Sequence, residues 1–300
     1  SSDLNTTLTL SHNKNSVKAL TGEAVQLYEA KFGFNQNTHR IAVGEPLGQF
    51  YGYITEGLYQ VDDFNYDAST QTYTLKDGIP YHGDKGQIRP GMWKFKNLTG
   101  DDNVIDENDK TVIGNAQPKF YGGLNNSFTY KGFDLSIFLT FSYGNEVLNA
   151  TKLVTSKVGS LNYNALDVMN SSNRWMTINS DGQKVTDPGE LAALNAGKTV
   201  AAYHDAQQGD NYIHSWAVED ASYLKLSNVT LGYTFPKNLI ARVGLKNLRL
   251  YATGNNLLTW TKYSGFDPEV STMKSGLTPG VDFGAYPLSR SFIFGLNVAF

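Results

Sequence analysis

The chain of 300 residues contains no cysteine, so disulfide bonds and thiolate metal sites cannot contribute to its structure. It also has no apolar run approaching the roughly 18 residues that a transmembrane helix requires. Lysine and arginine number 25 against 28 acidic residues, for a net charge of −3, and no basic block occurs. These deficits argue against a disulfide-stabilised domain, a helical membrane protein and a nucleic-acid-binding protein.

Motifs for catalysis are missing as well. The sequence contains no H-E-x-x-H zinc motif, no G-x-S-x-G nucleophile turn and no G-x-x-x-x-G-K-[ST] phosphate loop. Its five histidines are scattered without the spacing of metal ligands: His12, His39, His82, His204 and His214. Carboxylates are plentiful in the polar stretches, but no pair stands out as a glycosidase site. We therefore expect a protein that is not an enzyme.

Aromatic side chains and glycine are abundant. The sequence has 18 Tyr, 16 Phe, 4 Trp and 29 Gly, which favours β-strands joined by turns. Residues 291–300 show the clearest pattern, with Phe292, Phe294, Leu296 and Val298 alternating with smaller or polar residues. Alternation of period two is typical of a β-strand whose two faces meet different environments.

The same alternation predicts further strands. Leu4, Leu8 and Leu10 show it near the start of the chain, and four longer segments follow: 118–130, 133–145, 222–235 and 247–261. The two halves of 222–235 are out of phase, and a β-bulge near Asn228 would reconcile them. Residues 39–57 form a seventh, less regular candidate strand.

The connections between these strands are either short or long. Residues 130–134 and 236–247 are short, whereas the stretches of about 61–117, 146–221 and 262–287 are long, polar and rich in Gly, Asn and Asp. Because the two kinds alternate, the long connections emerge at one end of the sheet. This asymmetry is typical of a transmembrane β-barrel with short periplasmic turns and long extracellular loops, whereas long structureless loops are uncommon in compact soluble domains.

Aromatic residues are concentrated at the predicted ends of the strands, as in the two interfacial girdles of a membrane barrel. At the short-turn end these are Tyr130, Phe133, Phe235 and Phe300. At the long-loop end they are Tyr143, Trp260, Tyr263 and Tyr286. Alternation leaves a β-sandwich open as well, because its strands also alternate and its aromatic residues fill a core.

Several stretches, in order, resemble the C-terminal part of the SusC/RagA family of TonB-linked outer-membrane transporters. They are "GQFYGYITEGLYQ" (48–60), "GDDNVIDENDKTVIGNAQPKFYGGLNNSFTYKGFDLSIFLTFSYGN" (100–145), "DASYLKLSNVTLGYTFPKNL" (220–239), "LRLYATGNNLLTWTKYSGFDPEV" (248–270) and "GVDFGAYPLSRSFIFGLNVAF" (280–300). The resemblance runs from about residue 40 to the end. Within this range, only the stretch 146–219 differs from the family, although "NRWMTIN" (173–179) in it is similar to a family segment.

The resemblance implies an all-β fold, an antiparallel transmembrane β-barrel segment with long extracellular loops in the outer membrane of a Gram-negative bacterium. Residues 1–300 would be a C-terminal part of a barrel that has about 22 strands and a plugged lumen. The family imports oligosaccharides or peptides with a SusD-like surface lipoprotein and the TonB complex. The expected partners are therefore that lipoprotein, the TonB complex, outer-membrane lipid and a glycan or peptide cargo. The alternative is a secreted or surface β-sandwich that binds carbohydrate.

Neither a plug domain nor a TonB box is found in residues 1–300. We therefore expect that this chain by itself neither transports nor inserts stably into a membrane, since part of a barrel exposes two open edges. The resemblance also implies that Phe300, on an alternating strand, acts as a signal for outer-membrane assembly.

One loop concentrates oxygen ligands of the kind that calcium prefers. In "NLTGDDNVIDENDK" (97–110), Asn97, Thr99 and Asp101 stand at the first, third and fifth positions of a loop that resembles an EF-hand, and Asp106 and Asp109 keep later acidic positions. The loop departs from the family pattern by two weaker ligands and one extra residue. Asp101, Asp106 and Asp109 are the expected calcium ligands, and a solvated acidic turn is the alternative. No cofactor is otherwise required.

Four aromatic residues lie in or beside the individual stretch 146–219: Trp175, Tyr203, Tyr212 and Trp216. Sugar rings stack on flat aromatic faces, so these residues are candidates for binding substrate or the lipoprotein. The alternative is that they pack the loop against its neighbours.

Overall fold

The computed structural model shows a chain that is mostly β-strand. It describes residues 2–22, 24–29, 37–100, 102–156, 164–202, 212–272 and 275–300. In chain order the strands are β1 (Ser2–Ser11), β2 (Val25–Glu29), β3 (Asn37–Ala42), β4 (Gln49–Gly52), β5 (Thr55–Leu58), β6 (Phe64–Asp67), β7 (Thr72–Leu75), β8 (Tyr81–His82), β9 (Trp93–Phe95), β10 (Val104–Ile105), β11 (Thr111–Asn115), β12 (Phe120–Tyr130), β13 (Phe133–Tyr143), β14 (Glu146–Asn149), β15 (Val218–Asp220), β16 (Tyr223–Thr234), β17 (Asn247–Thr261), β18 (Val281–Asp282) and β19 (Ser291–Ala299). The helices are α1 (Ala150–Thr155), α2 (Pro188–Leu194) and α3 (Lys237–Ile240), and none in the described residues is long and apolar enough to cross a membrane.

Six strands form one antiparallel sheet in the order β1-β12-β13-β16-β17-β19, which we call the wall. A two-residue turn joins β12 to β13, and its residues Lys131 and Gly132 have φ angles of 47° and 90°. Both angles lie in the left-handed region that a tight hairpin of this kind requires. The other short connection, between β16 and β17, contains α3. The long connections leave the opposite end of the wall, as the alternation of long and short connections predicts.

One face of the wall is apolar because the register aligns the apolar positions of neighbouring strands. One row of paired residues crosses all six strands: Leu4, Phe128, Leu135, Leu231, Ala252 and Phe294. Within the described chain these side chains are not covered, since Leu4 is 66%, Leu231 51% and Phe294 81% exposed. We call this surface the apolar face. A continuous exposed apolar surface of this extent indicates contact with lipid or a partner rather than water.

The opposite, polar face carries hydrogen-bonding side chains. Its rows include Asn5, Ser127, Ser136, Thr230 and Thr253. Arg249 on β17 reaches across β16 and donates from Nε and Nη2 to the carboxylate of Asp134 on β13, at 3.0 and 2.5 Å. Gly232 lies beneath this ion pair, where a Cβ atom would come within 2.5 Å of Asp134 Oδ1.

Two polar side chains on the apolar face form a hydrogen bond with each other. Thr6 and Asn126 are paired across β1 and β12, and the Thr6 hydroxyl donates to Asn126 Oδ1 at 2.6 Å. Such pairing lowers the cost of placing polar groups where water is scarce.

The bulge that the sequence predicts near Asn228 is present at the adjacent residue. Phe138 pairs with Asn228 and Leu139 with Leu226, so Ser227 is the extra residue of β16. Its hydroxyl lies 2.7 Å from Thr140 Oγ1. The extra residue restores the phase of the strand, because it returns Leu226 to the apolar face.

The buried core lies in the long connections and not in the wall. The largest fully buried side chains are Trp175, Tyr59, Phe50, Phe95, Ile41, Ile88, Leu148, Ile213, His39, His82 and His214. Small sheets organise these connections, in the orders β11-β4-β3-β2, β15-β14-β18, β5-β9, β6-β7 and β10-β8. The connections are therefore folded structures with their own cores.

The seventh strand predicted for 39–57 is wrong as part of the wall. These residues form β3, β4 and β5, which pair within the small sheets of the first long connection. That connection consequently runs from residue 12 to 119, beyond the predicted bounds of 61–117. The alternation of 39–57 is irregular because loops bury both faces of these strands. A wall strand instead has one face in an apolar surrounding and one in a polar surrounding.

Aromatic residues mark both ends of the apolar face, with two corrections. Phe133 and Tyr233 are in contact at the short-turn end, with ring centroids 4.6 Å apart, and Tyr143 and Trp260 are each 51% exposed at the other end. Tyr263 is instead buried, and its hydroxyl donates to Asp282 Oδ2 at 2.6 Å. Tyr286 is 89% exposed and lies outside the wall strands.

Phe300 follows β19 and is 81% exposed, and its role as an assembly signal stays a prediction.

The β-sandwich alternative is not what the structure shows. A sandwich would pack a second sheet on the apolar face, but in the described residues that face is uncovered along all six strands. β1 and β19 are the edges of the wall and do not pair with each other. The six wall strands therefore form an open sheet with a single apolar face.

Replacing Val229, which pairs with Ile137 near the middle of β13 on the apolar face, with arginine is expected to cost about 2–4 kcal/mol of folding free energy in a bilayer, because it puts a charge in contact with hydrocarbon. The adjacent change Thr230→Arg places the same charge on the polar face. It is expected to cost about 1 kcal/mol, mainly through the lost hydrogen bond to Thr253. Urea unfolding of the complete protein in lipid vesicles measures both costs. Similar small costs for the two variants would show that Val229 does not face lipid.

Candidate functional site

A groove of about 420 Å³ lies where the polar face meets the base of the third long connection. We call it the polar groove. Tyr121, Ser142 and Tyr223 stand side by side on three adjacent wall strands and line one flank. Residues 268–271 line the other flank, and the remaining lining residues are Asn13, Ala116, Gln117, Pro118, Asn145, Glu146, Val147, Pro279 and Gly280. Its volume falls in the range of small-ligand pockets, roughly 300–1,000 Å³.

A charged network holds the flank made by 268–271 against the wall. Lys225 of β16 is 3% exposed, and its amine binds Glu269 and lies 3.5 Å from Asp267. The Tyr223 hydroxyl donates to Glu269 Oε1 at 2.5 Å. Because the buried amine is neutralised by carboxylates, the network fixes the third connection on the polar face without leaving an unpaired buried charge.

The lining of the polar groove suits a polar ligand. Glu146 accepts a hydrogen bond from Asn115 N at 2.7 Å and also borders the groove. Tyr121 is 45% exposed, so its ring is available to a ligand in the described chain. Amides, carboxylates and a phenol ring together can bind hydroxyl or amide groups, and the lining includes no lysine or arginine.

Asp109 of the acidic loop organises the loop through hydrogen bonds. Its Oδ1 accepts from Leu98 N at 2.6 Å, from Thr99 N at 3.0 Å and from the Thr99 hydroxyl at 3.1 Å. Its Oδ2 accepts from Asp106 N at 2.8 Å. Burial alone would raise the pKa of this carboxyl, but these donors outweigh burial, so its pKa is lowered. In this conformation the lone pairs of Asp109 are already directed at protein donors.

The other predicted calcium ligands are also engaged where the structure describes them. Asp106 caps a short 3-10 turn by accepting from Asn108 N at 2.8 Å, and Asn97 Oδ1 accepts from Gly100 N at 2.5 Å. Asp101 lies outside the described residues. Among the described residues no group of three or more His, Asp or Glu side chains is placed to hold a metal ion. Calcium binding by this loop stays a prediction, and so does its alternative, a solvated acidic turn.

Trp175 packs in the core of the loops. It is 1% exposed, and its backbone N donates to Val200 O at 2.8 Å. Its ring lies against Gly91, where a Cβ atom would come within 2.3 Å of Trp175 Cγ. In the described structure the Trp175 ring is therefore packed in the loop core, and its contact with a substrate or the lipoprotein stays a prediction.

Trp216 and Tyr212 are half-buried beside that core. Lys152 Nζ lies 4.1 Å above the Trp216 ring and 3.0 Å from Glu219, and Trp93 contacts the same ring at 4.9 Å. Tyr212 packs edge-on against Tyr53. A contact between these two residues and cargo stays a prediction, as does the role of Tyr203, which lies outside the described residues.

His82 is buried among aromatic rings. It is 1% exposed, its ring centroid lies 5.0 Å from that of Phe95 and 5.5 Å from that of Tyr212, and neither ring nitrogen has a hydrogen-bond partner in the described residues. Burial lowers the pKa of His82 to about 4. The imidazole is therefore neutral at physiological pH and acts as part of the aromatic core.

The residues of the polar groove were missed by sequence reasoning. Tyr121 and Tyr223 belong to predicted strands, and their alternation places them on the polar face. Nothing in the pattern, however, indicates that Glu269 of the third connection folds back onto Lys225. An ion pair between residues 44 positions apart in different elements leaves no periodic signal in a single sequence.

An antiparallel sheet with one apolar face, one polar face, short turns at one end and folded loops at the other is a segment of a transmembrane β-barrel wall. Comparison with known proteins agrees. The chain is 33% identical over 98% of its length to TonB-dependent receptor P3 of Formosa agariphila, and 29% identical over 73% of its length to TonB-dependent receptor SusC of Bacteroides thetaiotaomicron. No family model matches the chain. The chain belongs to the TonB-dependent receptors and is of the SusC/RagA type.

A solved structure shows the same fold. The chain is similar to a protein in the structure of the RagAB peptide transporter, with a TM-score of 0.66, 20% identity and coverage of 100% of this chain and 27% of that chain. The chain spans about a fifth to a quarter of the length of these curated relatives, 18% of SusC and 26% of receptor P3.

The change Gly91→Ala is expected to loosen the loop core. Gly91 has a φ of 87°, so alanine adds backbone strain of about 1–2 kcal/mol, and its Cβ would strike the Trp175 ring at a further cost of about 1–3 kcal/mol. Gly78→Ala is the matched control, because its φ is 79° but no atom lies within 4 Å of the new Cβ. Limited proteolysis of the complete protein should cut the loops faster in the first variant. Equal rates would contradict the packing of Trp175 on Gly91.

His82→Phe is expected to make the loop core less sensitive to acid. The folded-state pKa of about 4 lies below the usual 6.5, so His82 stabilises the fold fully above pH 6.5 and this contribution is lost as the pH falls toward 4. At pH 4.5 the variant should gain about 2–3 kcal/mol relative to the parent, with little change at pH 7.5. Thermal unfolding across this range measures the effect, with exposed His12→Phe as the control. Parallel pH profiles of His82→Phe and the parent would contradict it.

Proposed function

We propose that this chain forms part of the barrel wall and the extracellular loops of a TonB-dependent importer in the outer membrane of a Gram-negative bacterium. The observation that carries the proposal is the wall itself, whose apolar face is uncovered across six strands while the buried core lies in the long connections. A protein surrounded by water would bury that face. Lipid allows it to remain exposed, and the polar face then borders the lumen.

The cargo is proposed to be an oligosaccharide or a peptide. Support comes from the polar groove, whose lining of amides, carboxylates and a tyrosine ring suits hydroxyl and amide groups. One protein of similar fold belongs to the RagAB peptide transporter, so peptides stand beside oligosaccharides as candidate cargo. The groove lies beside the base of the third long connection, where a molecule entering from the loops would pass.

We also propose that the complete protein works with a SusD-like surface lipoprotein and is driven by the TonB complex. The similarity to SusC and to a subunit of RagAB supports both partners. A transporter of this kind needs binding and movement of its loops rather than bond chemistry. No catalytic role is therefore proposed for the chain.

The orientation of the wall can be tested by cysteine labelling, since the chain has no cysteine of its own. Ser180→Cys lies in an exposed turn of the second long connection, and Lys131→Cys lies in the two-residue turn at the opposite end. With a maleimide that cannot cross the outer membrane, intact cells should label the first variant and spare the second. After the outer membrane is permeabilised, both should label.

Labelling of Lys131→Cys on intact cells would overturn this orientation. Import is tested separately by deleting the gene. The deletion should abolish growth on the cargo and leave growth on monosaccharides and amino acids unchanged. A panel of oligosaccharides and peptides as sole nutrients identifies which class is lost. Unchanged growth on every member of both classes would contradict import of either.

A further inference from the structure

A buried histidine is bonded to one flank of the polar groove. His39 of β3 belongs to the first long connection, and its ring Nε2 donates to Pro279 O of the third long connection at 2.9 Å. Pro279 and the next residue, Gly280, both line the groove. One hydrogen bond therefore joins two distant connections at the border of the proposed cargo site. We call this hydrogen bond the latch.

The contacts of His39 specify a neutral imidazole. A carbonyl oxygen can only accept, so Nε2 carries the proton of the latch. Nδ1 lies 2.8 Å from the Thr38 hydroxyl, from which an unprotonated nitrogen can accept. Both ring nitrogens thus have partners when the ring holds a single proton. A second proton, on Nδ1, would remove that acceptor.

No counter-charge is placed beside His39 in the described residues. The side chain is 0% exposed, and its ring lies edge-on to that of Phe50, with centroids 5.1 Å apart. The charged and titratable groups of the elements packed around it are bound to other partners: Arg40 to Glu45, Tyr28 to Gln26, Glu146 to Asn115 and Asp282 to Tyr263. Burial lowers the pKa of His39 to about 4, and the hydrogen bond to Pro279 opposes this only in part.

The latch acts on the peptide unit that borders the groove. Gly280 N belongs to the same peptide unit as Pro279 O, and it donates to Ser271 Oγ at 3.3 Å. Ser271 is itself part of the groove lining. On the other side, the pairing of Val281 with Leu148 of β14 holds the chain independently of His39. Loss of the latch is therefore expected to free the Pro279 end of this segment and leave β18 in place.

We propose that His39 is an acid-sensitive positioning residue, which fixes the Pro279 flank of the polar groove when neutral and releases it when protonated. A buried imidazolium without a counter-charge is costly, so a protonated ring is more stable in water, away from Pro279. The proposal assigns a regulation to the groove, and it rests on the proposed function only in taking the groove as a cargo site.

The direction and size of the effect follow from proton linkage. The pKa of His39 with the latch closed, about 4, lies below the usual 6.5. The latch is therefore at full strength above pH 6.5, and it weakens as the pH falls toward 4. If the released ring has the usual pKa, the released fraction should rise roughly tenfold between pH 7.5 and pH 5.5.

Hydrogen–deuterium exchange of the complete receptor in lipid nanodiscs tests the proposal. Exchange at Gly280, followed in peptides that span 277–283 and corrected for the intrinsic effect of pH, should be roughly tenfold faster at pH 5.5 than at pH 7.5. Amides of β13 should show no such change, because the wall does not depend on the latch. His39→Gln should remove the rise at Gly280, since a glutamine amide can still donate to Pro279 O but does not titrate.

His12→Gln is the matched control. His12 lies next to Asn13 of the groove lining and its Nδ1 is 2.6 Å from Lys119 O, but the side chain is exposed. This variant should keep the rise of the parent. His82 is present in every variant, so its titration cannot produce a difference between them.

The proposal is overturned if exchange at Gly280 does not rise in the parent, or if it rises equally in His39→Gln. An equal rise in β13 would also overturn it, because the whole receptor would then be opening. These outcomes are independent of import. If gene deletion leaves growth on every cargo unchanged while exchange follows the expected pattern, the latch stands and only the cargo role of the groove is wrong.

Discussion

The structure depends on the register of the wall. Each of the six strands alternates with a period of two, and a shift of one residue between any pair would move its apolar side chains to the opposite face. The observed pairing keeps Leu4, Phe128, Leu135, Leu231, Ala252 and Phe294 in one row. Ladder hydrogen bonds satisfy the backbone between these strands, which is a requirement in hydrocarbon. The two-residue turn at Lys131 and Gly132 and the bulge at Ser227 both serve this register.

The same register also determines where the buried core lies. Because the wall turns its apolar side chains outward, it cannot supply a buried core for the chain, and the long connections must supply their own. They do so with a cluster that contains Trp175, with the stacked rings of Phe95 and Tyr53, and with the buried, neutral imidazole of His82. Ion pairs such as that between Lys225 and Glu269 then attach a connection to the polar face. The polar groove exists because this attachment leaves space between wall and loop.

The agreement between sequence and structure follows the strength of the local pattern. β12, β13, β17 and β19 were predicted from alternation, and the bulge was predicted within one residue, because a phase change in a strand is visible in sequence. The prediction of a wall strand at 39–57 was wrong because the local pattern there is weak. Short strands buried on both sides lose the two-sided contrast, so alternation cannot tell a wall strand from a strand within a loop. Tyr263 was misplaced because its partner, Asp282, comes from a distant part of the third connection.

The sequence by itself determined the class of protein, the strands of the wall and the end at which the long connections emerge, because each is encoded in residues that are neighbours along the chain. Only the tertiary structure decided that the connections hold the core, that Trp175 is buried in that core, and that Tyr223, Lys225 and Glu269 form one network. It also joined His39 of the first connection to Pro279 of the third. These arrangements join residues that are far apart in sequence, and pairing at such range depends on shape and burial rather than on periodicity.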